Sequence, residues 1–393
     1  MLLALLACSA SAPPTPEAEA PSGAELAARF QCARCHAGPE LSTLPVEQDC
    51  VGCHAAIFTD RFESTYTAEG IAGWRSRVHS LRVAPSLVGT QRLRAAWLDD
   101  FLARPHDLRP GLPATMPRLP LTDEERDTLV TWLGADTAPA ADPGGDVDRG
   151  LDLLVSEGCG SCHRYTGAGV LDGSLPEAFS TPVALAPDLA HARERMSPAW
   201  LAAWLEDPRA VKPDTTMPSP TLSEAERTDV VAALTRSPLQ PAVASVPEPL
   251  PLLERPVTFE EVEREVLAKV CRHCHSAPSE ANDGDGGPGN TGGFGYAGGG
   301  LDLSSYEGVV AGRLGDDGRR VSVLEGSPPP LVAAMWRRHE EGAGTFTAAP
   351  GMPLGFPPMS PEQIRLVSSW IDQGAPPPHS SASSPSSTPT TSP

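Results

Sequence analysis

Apolar residues recur at three- and four-residue spacing in short windows of the chain, as in Leu129, Val130, Trp132 and Leu133, or Ile364, Val367, Trp370 and Ile371. That period puts one apolar stripe on an α-helix. Each window opens on a capping box, in which a hydroxyl and a carboxyl or amide three residues on satisfy the first backbone donors. The boxes are Thr122 with Glu125, Ser223 with Glu226, and Ser360 with Gln363. Upstream of each lies the same order of features: a helical run, a cysteine pair, a loop and a Met-Pro dipeptide. The dipeptides are Met116-Pro117, Met217-Pro218 and Met352-Pro353. Ser197-Pro198 starts one more helix, with Trp200 and Trp204 on one face as core residues. The pattern predicts a mainly α chain of three repeated units, at 23–134, 146–236 and 257–375.

Composition separates these units. Residues 8–22 are rich in Pro, Ala, Ser and Glu and read as a flexible tether, and 135–145 and 237–256 as linkers in which proline recurs too often for a packed element. The Ser/Thr/Pro stretch 376–393 is expected to be disordered. Units one and two align further: Pro85-Ser-Leu87 with Pro187-Asp-Leu189, Trp97 with Trp200, and Pro105 with Pro208. Gly23 precedes Cys32 by the same interval as Gly150 precedes Cys159. The loop from His36 to Pro85 is about 25 residues longer than that from His163 to Pro187, so unit one carries an insertion.

The cysteines carry the chemistry. CxxCH occurs as Cys32-Ala-Arg-Cys35-His36, Cys50-Val-Gly-Cys53-His54, Cys159-Gly-Ser-Cys162-His163 and Cys271-Arg-His-Cys274-His275, the second of them inside the insertion. Two thiols one turn apart can take thioether bonds from two vinyl groups while the next residue turns an imidazole to the iron, which is the attachment signature of a c-type haem. A tetrahedral zinc site gives no reason for a His after every second Cys, and a redox dithiol lacks its strand-helix context. The motifs therefore predict four covalently attached haem c groups, with unit one carrying two. Asp283-Gly-Asp285-Gly-Gly287 lacks the third oxygen ligand and the closing Glu of a calcium loop and reads as a flexible glycine-rich insertion.

Net charge and the ends of the chain complete the picture. A formal charge of −20 excludes a nucleic-acid binder and points to redox partners, a donor and an acceptor, with basic docking surfaces. Eight of nine cysteines lie in the motifs; the ninth, Cys8, ends a short apolar opening, residues 1–7, that resembles the lipobox of a bacterial lipoprotein signal peptide. That resemblance implies a lipid anchor at Cys8, although seven residues make a short apolar segment and no basic region precedes them, so an ordinary secretory signal is the alternative. No other apolar run reaches the roughly 18 residues that would span a bilayer.

Helix, CxxCH, Pro-x-Leu loop, Met-Pro and closing helix together resemble class I c-type cytochromes over most of the chain. The third unit, with Gly300-Leu-Asp-Leu-Ser-Ser-Tyr-Glu-Gly308, Gly351-Met-Pro353 and Trp370-Ile-Asp-Gln-Gly374, resembles the planctomycete-type cytochrome c domain. The resemblance implies tandem helical domains with long loops and export to the periplasmic side of a bacterial membrane, the outer membrane favoured. It also implies iron held between the motif His and a Met sulfur, pairing His36 with Met116, His163 with Met217 and His275 with Met352. Met359 and His339 stand as alternatives to Met352. The haem at His54 has no Met of its own; His79 is the first candidate, His106 the second, and an open iron the third. Electron transfer without catalysis is the expected function. Peroxidase or nitrite chemistry at an open second haem and a subunit role in a respiratory or dehydrogenase complex are the competing readings.

Overall fold

The protein is seen in a computed structural model that describes residues 20–46, 48–62, 68–75, 83–106, 108–110, 116–139, 141–173, 181–240, 245–277 and 290–378. Helix makes up 45% of the described residues and strand 3%, which establishes the mainly α, cytochrome c-like architecture.

In the first unit α1 (Gly23–Arg29) leads into a tight turn at Cys32–Arg34. The insertion contributes α2 (Cys50–Phe58) and α3 (Ala68–Arg75), which pack on each other. Beyond it come α4 (Ala95–Ala103) and the closing helix α5 (Asp123–Trp132). The Thr122 hydroxyl accepts from the Glu125 amide while the Glu125 carboxylate reaches back to the Thr122 amide, so the box seen in the sequence is fully formed. α1 crosses α5 at Gly23, where a Cβ would collide with the Trp132 side chain.

The second unit repeats the plan. α6 (Val147–Ser156) enters the turn at Cys159–Ser161. After it lie α7 (Thr181–Leu185), α8 (Ala192–Arg195), α9 (Pro198–Glu206) and α10 (Pro208–Val211), and α11 (Glu224–Arg236) closes the unit behind the Ser223/Glu226 box. α6 crosses α11 at Gly150, whose missing Cβ would sit inside the Asp229 carbonyl.

In the third unit α12 (Phe259–Val262) runs on as a single π turn, Glu263–Leu267, before the motif turn Cys271–His273. Then follow the hairpin β1 (Gly292–Gly293) with β2 (Tyr296–Ala297), α13 (Tyr306–Ala311) and a second antiparallel pair, β3 (Arg313–Leu314) with β4 (Arg320–Val321). α14 (Pro330–Gly342) and α15 (Pro361–Asp372) complete it, α15 opening on the Ser360/Gln363 box.

Two apolar cores result. One runs unbroken through units one and two, from Leu26 and Phe30 through Trp97 and Leu129 to Leu154 and Val231. The other belongs to unit three and centres on Val262, Leu267, Val367 and Trp370. Backbone bonds lock units one and two together: Arg94 N–H donates to Arg195 C=O (2.8 Å) and Asp188 N–H to Leu108 C=O (2.8 Å). Unit three docks on unit one instead. Asp283–Gly287 lies outside the described residues, but the hairpin that follows docks on unit one, with Phe294 N–H on the Gln31 side chain (3.3 Å) and Tyr296 O–H on the Arg118 carbonyl (2.8 Å). Gly295, at φ +81°, lies so close to Phe30 that a side chain there would meet the ring. Unit one therefore stands between the other two. No helix among the described residues is long and apolar enough to cross a membrane.

Candidate functional site

The geometry of the first motif starts at the turn Cys32–Arg34, closed by the Cys35 amide on the Cys32 carbonyl and followed by the His36 amide on the same oxygen. This aims the His36 ring inward. Its Nδ1–H donates to the Pro85 carbonyl (2.7 Å), which leaves the Nε2 lone pair available to a metal. Burial pulls the His36 pKa below the ordinary value, with the nearby Arg109 charge acting the same way, so the ring is neutral, the ligating form. Leu87, two residues after Pro85, ties its loop down through its amide on the Ala37 carbonyl (2.7 Å).

Cys32, Cys35, His36 and Met116 line one cleft, with about 1390 Å3 of empty space continuous at its mouth with solvent. Its walls are mostly apolar, broken by Ser86, Thr90 and His106 and by three arginines: Arg92, Arg109 and Arg195, the last contributed by the second unit. Burial pushes Arg92 down to about 10 and Arg195 to about 9, and each still carries its charge at neutral pH. Arg195 Nε and Trp97 Nε1, both in this wall, are buried donors without an acceptor. A large apolar ring system with two peripheral carboxylates and a metal at its centre fits such a cleft: the thiols and imidazole meet the ring and iron, the cations and orphan donors the carboxylates.

The second unit reproduces the arrangement. His163 Nδ1–H donates to the Pro187 carbonyl (2.8 Å), the Leu189 amide bonds the Arg164 carbonyl (2.8 Å), and burial lowers the His163 pKa. Met217 lies against Trp204, whose indole N–H points at the Met217 sulfur (2.8 Å). His106 stands apart from the second motif; it lines the first cleft and faces His191 across the joint between the units, ring centroids 5.4 Å apart.

In the third unit the Leu303 amide bonds the His275 carbonyl (2.7 Å), and His275 Nδ1 faces the Leu301 carbonyl without closing a hydrogen bond. Leu301-Asp-Leu303 thus occupies the place of the Pro-x-Leu loops. Burial holds the His275 pKa down to about 4. Met359 is packed in the core, 4% exposed, and its carbonyl engages Nε2 of His339 (2.7 Å). The loop of Met352 lies along α14, with Met352 N–H on the Ala334 carbonyl (2.8 Å) and Gly351 N–H on the Glu341 carboxylate (2.9 Å).

The second motif is built differently, on α2 rather than on a tight turn. Asp49 caps the helix by accepting from Gly52 N–H (2.8 Å), and Cys50, Cys53 and His54 fall in its first turns. The Cys35 thiol donates to Cys50, raising its own pKa and lowering that of Cys50, on which the Arg34 charge also acts. Cys274 of the fourth motif lies close enough for the Cys50 charge to raise its pKa further after burial has done most of the work. His54 faces His273, the residue between the two cysteines' midpoint and Cys274 in the fourth motif, at 6.4 Å between ring centroids. Three motifs therefore meet at one junction of units one and three. His79 lies outside the described residues. Among those described, no three or more His, Cys, Asp or Glu side chains converge as a metal-ion site.

Sequence reasoning did not reach His273, the Leu301-Asp-Leu303 loop or the buried arginines. The spacing of Leu303 behind the fourth motif was masked by the glycine-rich insertion, and the other features are contacts between units.

No curated protein and no solved structure matches the chain. A family model described as Cytochrome c matches residues 147–234, which run from the start of α6 to near the end of α11. The second unit is thus similar to a cytochrome c domain, a family that binds haem c covalently.

Proposed function

We propose that the chain is a tetrahaem c-type cytochrome that carries electrons between redox partners on the periplasmic side of a bacterial membrane, tethered there through Cys8. The observation that carries this reading is the recurrence, at His36 and His163, of a buried imidazole held by a loop carbonyl with its other nitrogen directed into the unit. Bound haem supplies one-electron chemistry at its iron, cycling between ferrous and ferric states. The protein's part is to fix the ligands and exclude water. Pro85 and Pro187 set the imidazole tautomer, and Met116, Met217 and Met352 would supply the sulfur ligands of the iron. Saturated coordination leaves no position for substrate, which favours transfer over catalysis.

Intact mass of the purified holoprotein decides the count. The expected result is the processed chain plus four haem masses, retained on denaturation. A mass with two or three haems, and unmodified Cys50 and Cys53 in the peptide map, would contradict it.

A further inference from the structure

We infer that His273, from within the fourth motif, is the distal ligand of the haem at the second motif, so that this haem is held between His54 of unit one and His273 of unit three. The inference rests on the second motif carrying a haem, as proposed above.

The distance between the two rings is the first argument. A transition metal binds an imidazole nitrogen at about 2.0–2.1 Å, and that nitrogen lies roughly 1.1 Å from its ring centroid, so imidazoles on opposite sides of one iron have centroids roughly 6.3 Å apart. The His54 and His273 centroids are 6.4 Å apart. Other ring pairs in this protein range from 5.0 Å for the Trp97–Phe101 stack to 6.4 Å for Tyr306 edge-on to Trp370. The His54–His273 spacing matches what an iron and its two bonds require.

Both rings are positioned by structure that would not exist for a casual contact. His54 sits on α2, anchored by the Asp49 cap. His273 ends the rigid turn Cys271–His273. Unit three is held in that pose by Tyr296 on Arg118, Phe294 on Gln31, and the Arg118–Glu341 ion pair (3.3 Å). The functional consequence is a short route: His273 is bonded through the chain to Cys274, so a ligand of one iron is one residue from the thioether of the next haem.

Three forms of the full-length holoprotein test this: His273→Ala, His273→Met and His79→Ala. Peptide mass mapping first establishes that Cys50 and Cys53 carry haem in the unaltered protein; their absence overturns the tetrahaem reading and this inference with it. With haem present, the unaltered protein should show one low-spin bis-imidazole signal by electron paramagnetic resonance. His273→Ala should convert that one haem of the four to high spin and let it bind carbon monoxide when reduced. His273→Met should stay low spin with a higher potential for that component, because thioether ligation raises it. If His273→Ala disturbs folding, His273→Met carries the test alone. Retention of the bis-imidazole signal in either His273 variant, or its loss on His79→Ala alone, would overturn the assignment while leaving the haem count intact.

Discussion

At the scale of single residues, Glu341 does the most with one side chain. Its carboxylate, 6% exposed, accepts from Gly351 N–H (2.9 Å) and faces Arg118 (3.3 Å) and Arg338 (3.7 Å). Gly351 immediately precedes Met352, and Arg118 lies two residues after Met116, so one group joins the two Met-Pro loops of different units. Removing its charge while keeping its shape, Glu341→Gln, deprives both arginines of a counter-charge. A fully orphaned buried ion costs about 3–5 kcal/mol. Arg338 keeps its bond to the Phe356 carbonyl (2.7 Å) and the amide can still hold Gly351, so the loss should be about 1.5–3 kcal/mol, the scale of one hydrogen bond to a charged group. Denaturant melts of the holoprotein measure it. An unchanged midpoint would show that the arginines find other partners. Glu341→Gln should also loosen unit three from unit one, read as faster proteolysis in the 241–256 segment.

At the scale of elements, the helix crossings set the frame on which each motif is hung. Gly150 lets α6 reach the backbone of α11, and an added methyl would have to displace the Asp229 carbonyl, which belongs to a helix and cannot swing aside. Alanine gains about 1 kcal/mol in helix propensity over glycine. Overpacking costs about 1–3 kcal/mol, so the clash prevails and Gly150→Ala should destabilise the second unit on thermal melting. A higher melting point would mean the crossing is looser than the contact implies. The cap of α11 adds a pH dependence: the Ser223 hydroxyl and amide hold the Glu226 carboxyl below its usual 4.5. A lowered folded pKa contributes stability that is present above the unfolded value and lost as pH falls through the folded one. Ser223→Ala should therefore cost stability at pH 7, with the gap narrowing as pH falls below the ordinary carboxyl range and a part from the amide bond to the Ser223 hydroxyl remaining; a gap constant with pH would detach the Glu226 charge from the cap. These helices were legible in the sequence because caps and apolar spacing are local signals. Gly23 and Gly150 stood out by their equal intervals before a motif, though only the structure shows that each marks a crossing. The Leu301-Asp-Leu303 loop escaped because a leucine replaces the proline that marks the other two. His273 escaped for a stronger reason: the residues between motif cysteines are free of local constraint, and its partner lies in another unit.

At the scale of the whole molecule, the spatial order is unit two, unit one, unit three, with the first cleft in the middle sharing Arg195 with one neighbour and the Cys35–Cys50–Cys274 junction with the other. Electrons entering at either end unit would then pass through unit one, and partners would meet the outer faces. The chain carries 50 acidic against 30 basic side chains, and several arginines are withdrawn from the surface into the first cleft, which leaves the exterior more acidic than the total suggests. An acidic exterior steers basic partners and repels acidic ones, and raises association rates by about 10- to 1,000-fold when unscreened. The Debye length falls from about 30 Å at 0.01 M salt to about 8 Å at 0.15 M. Electron transfer to a basic redox protein should therefore slow by on the order of tenfold over that range, while transfer to an acidic one should start slow and rise. Stopped-flow rates across a salt series with both partners test it. Equal rates that do not change with salt would leave shape and apolar contact, rather than charge, as the basis of docking.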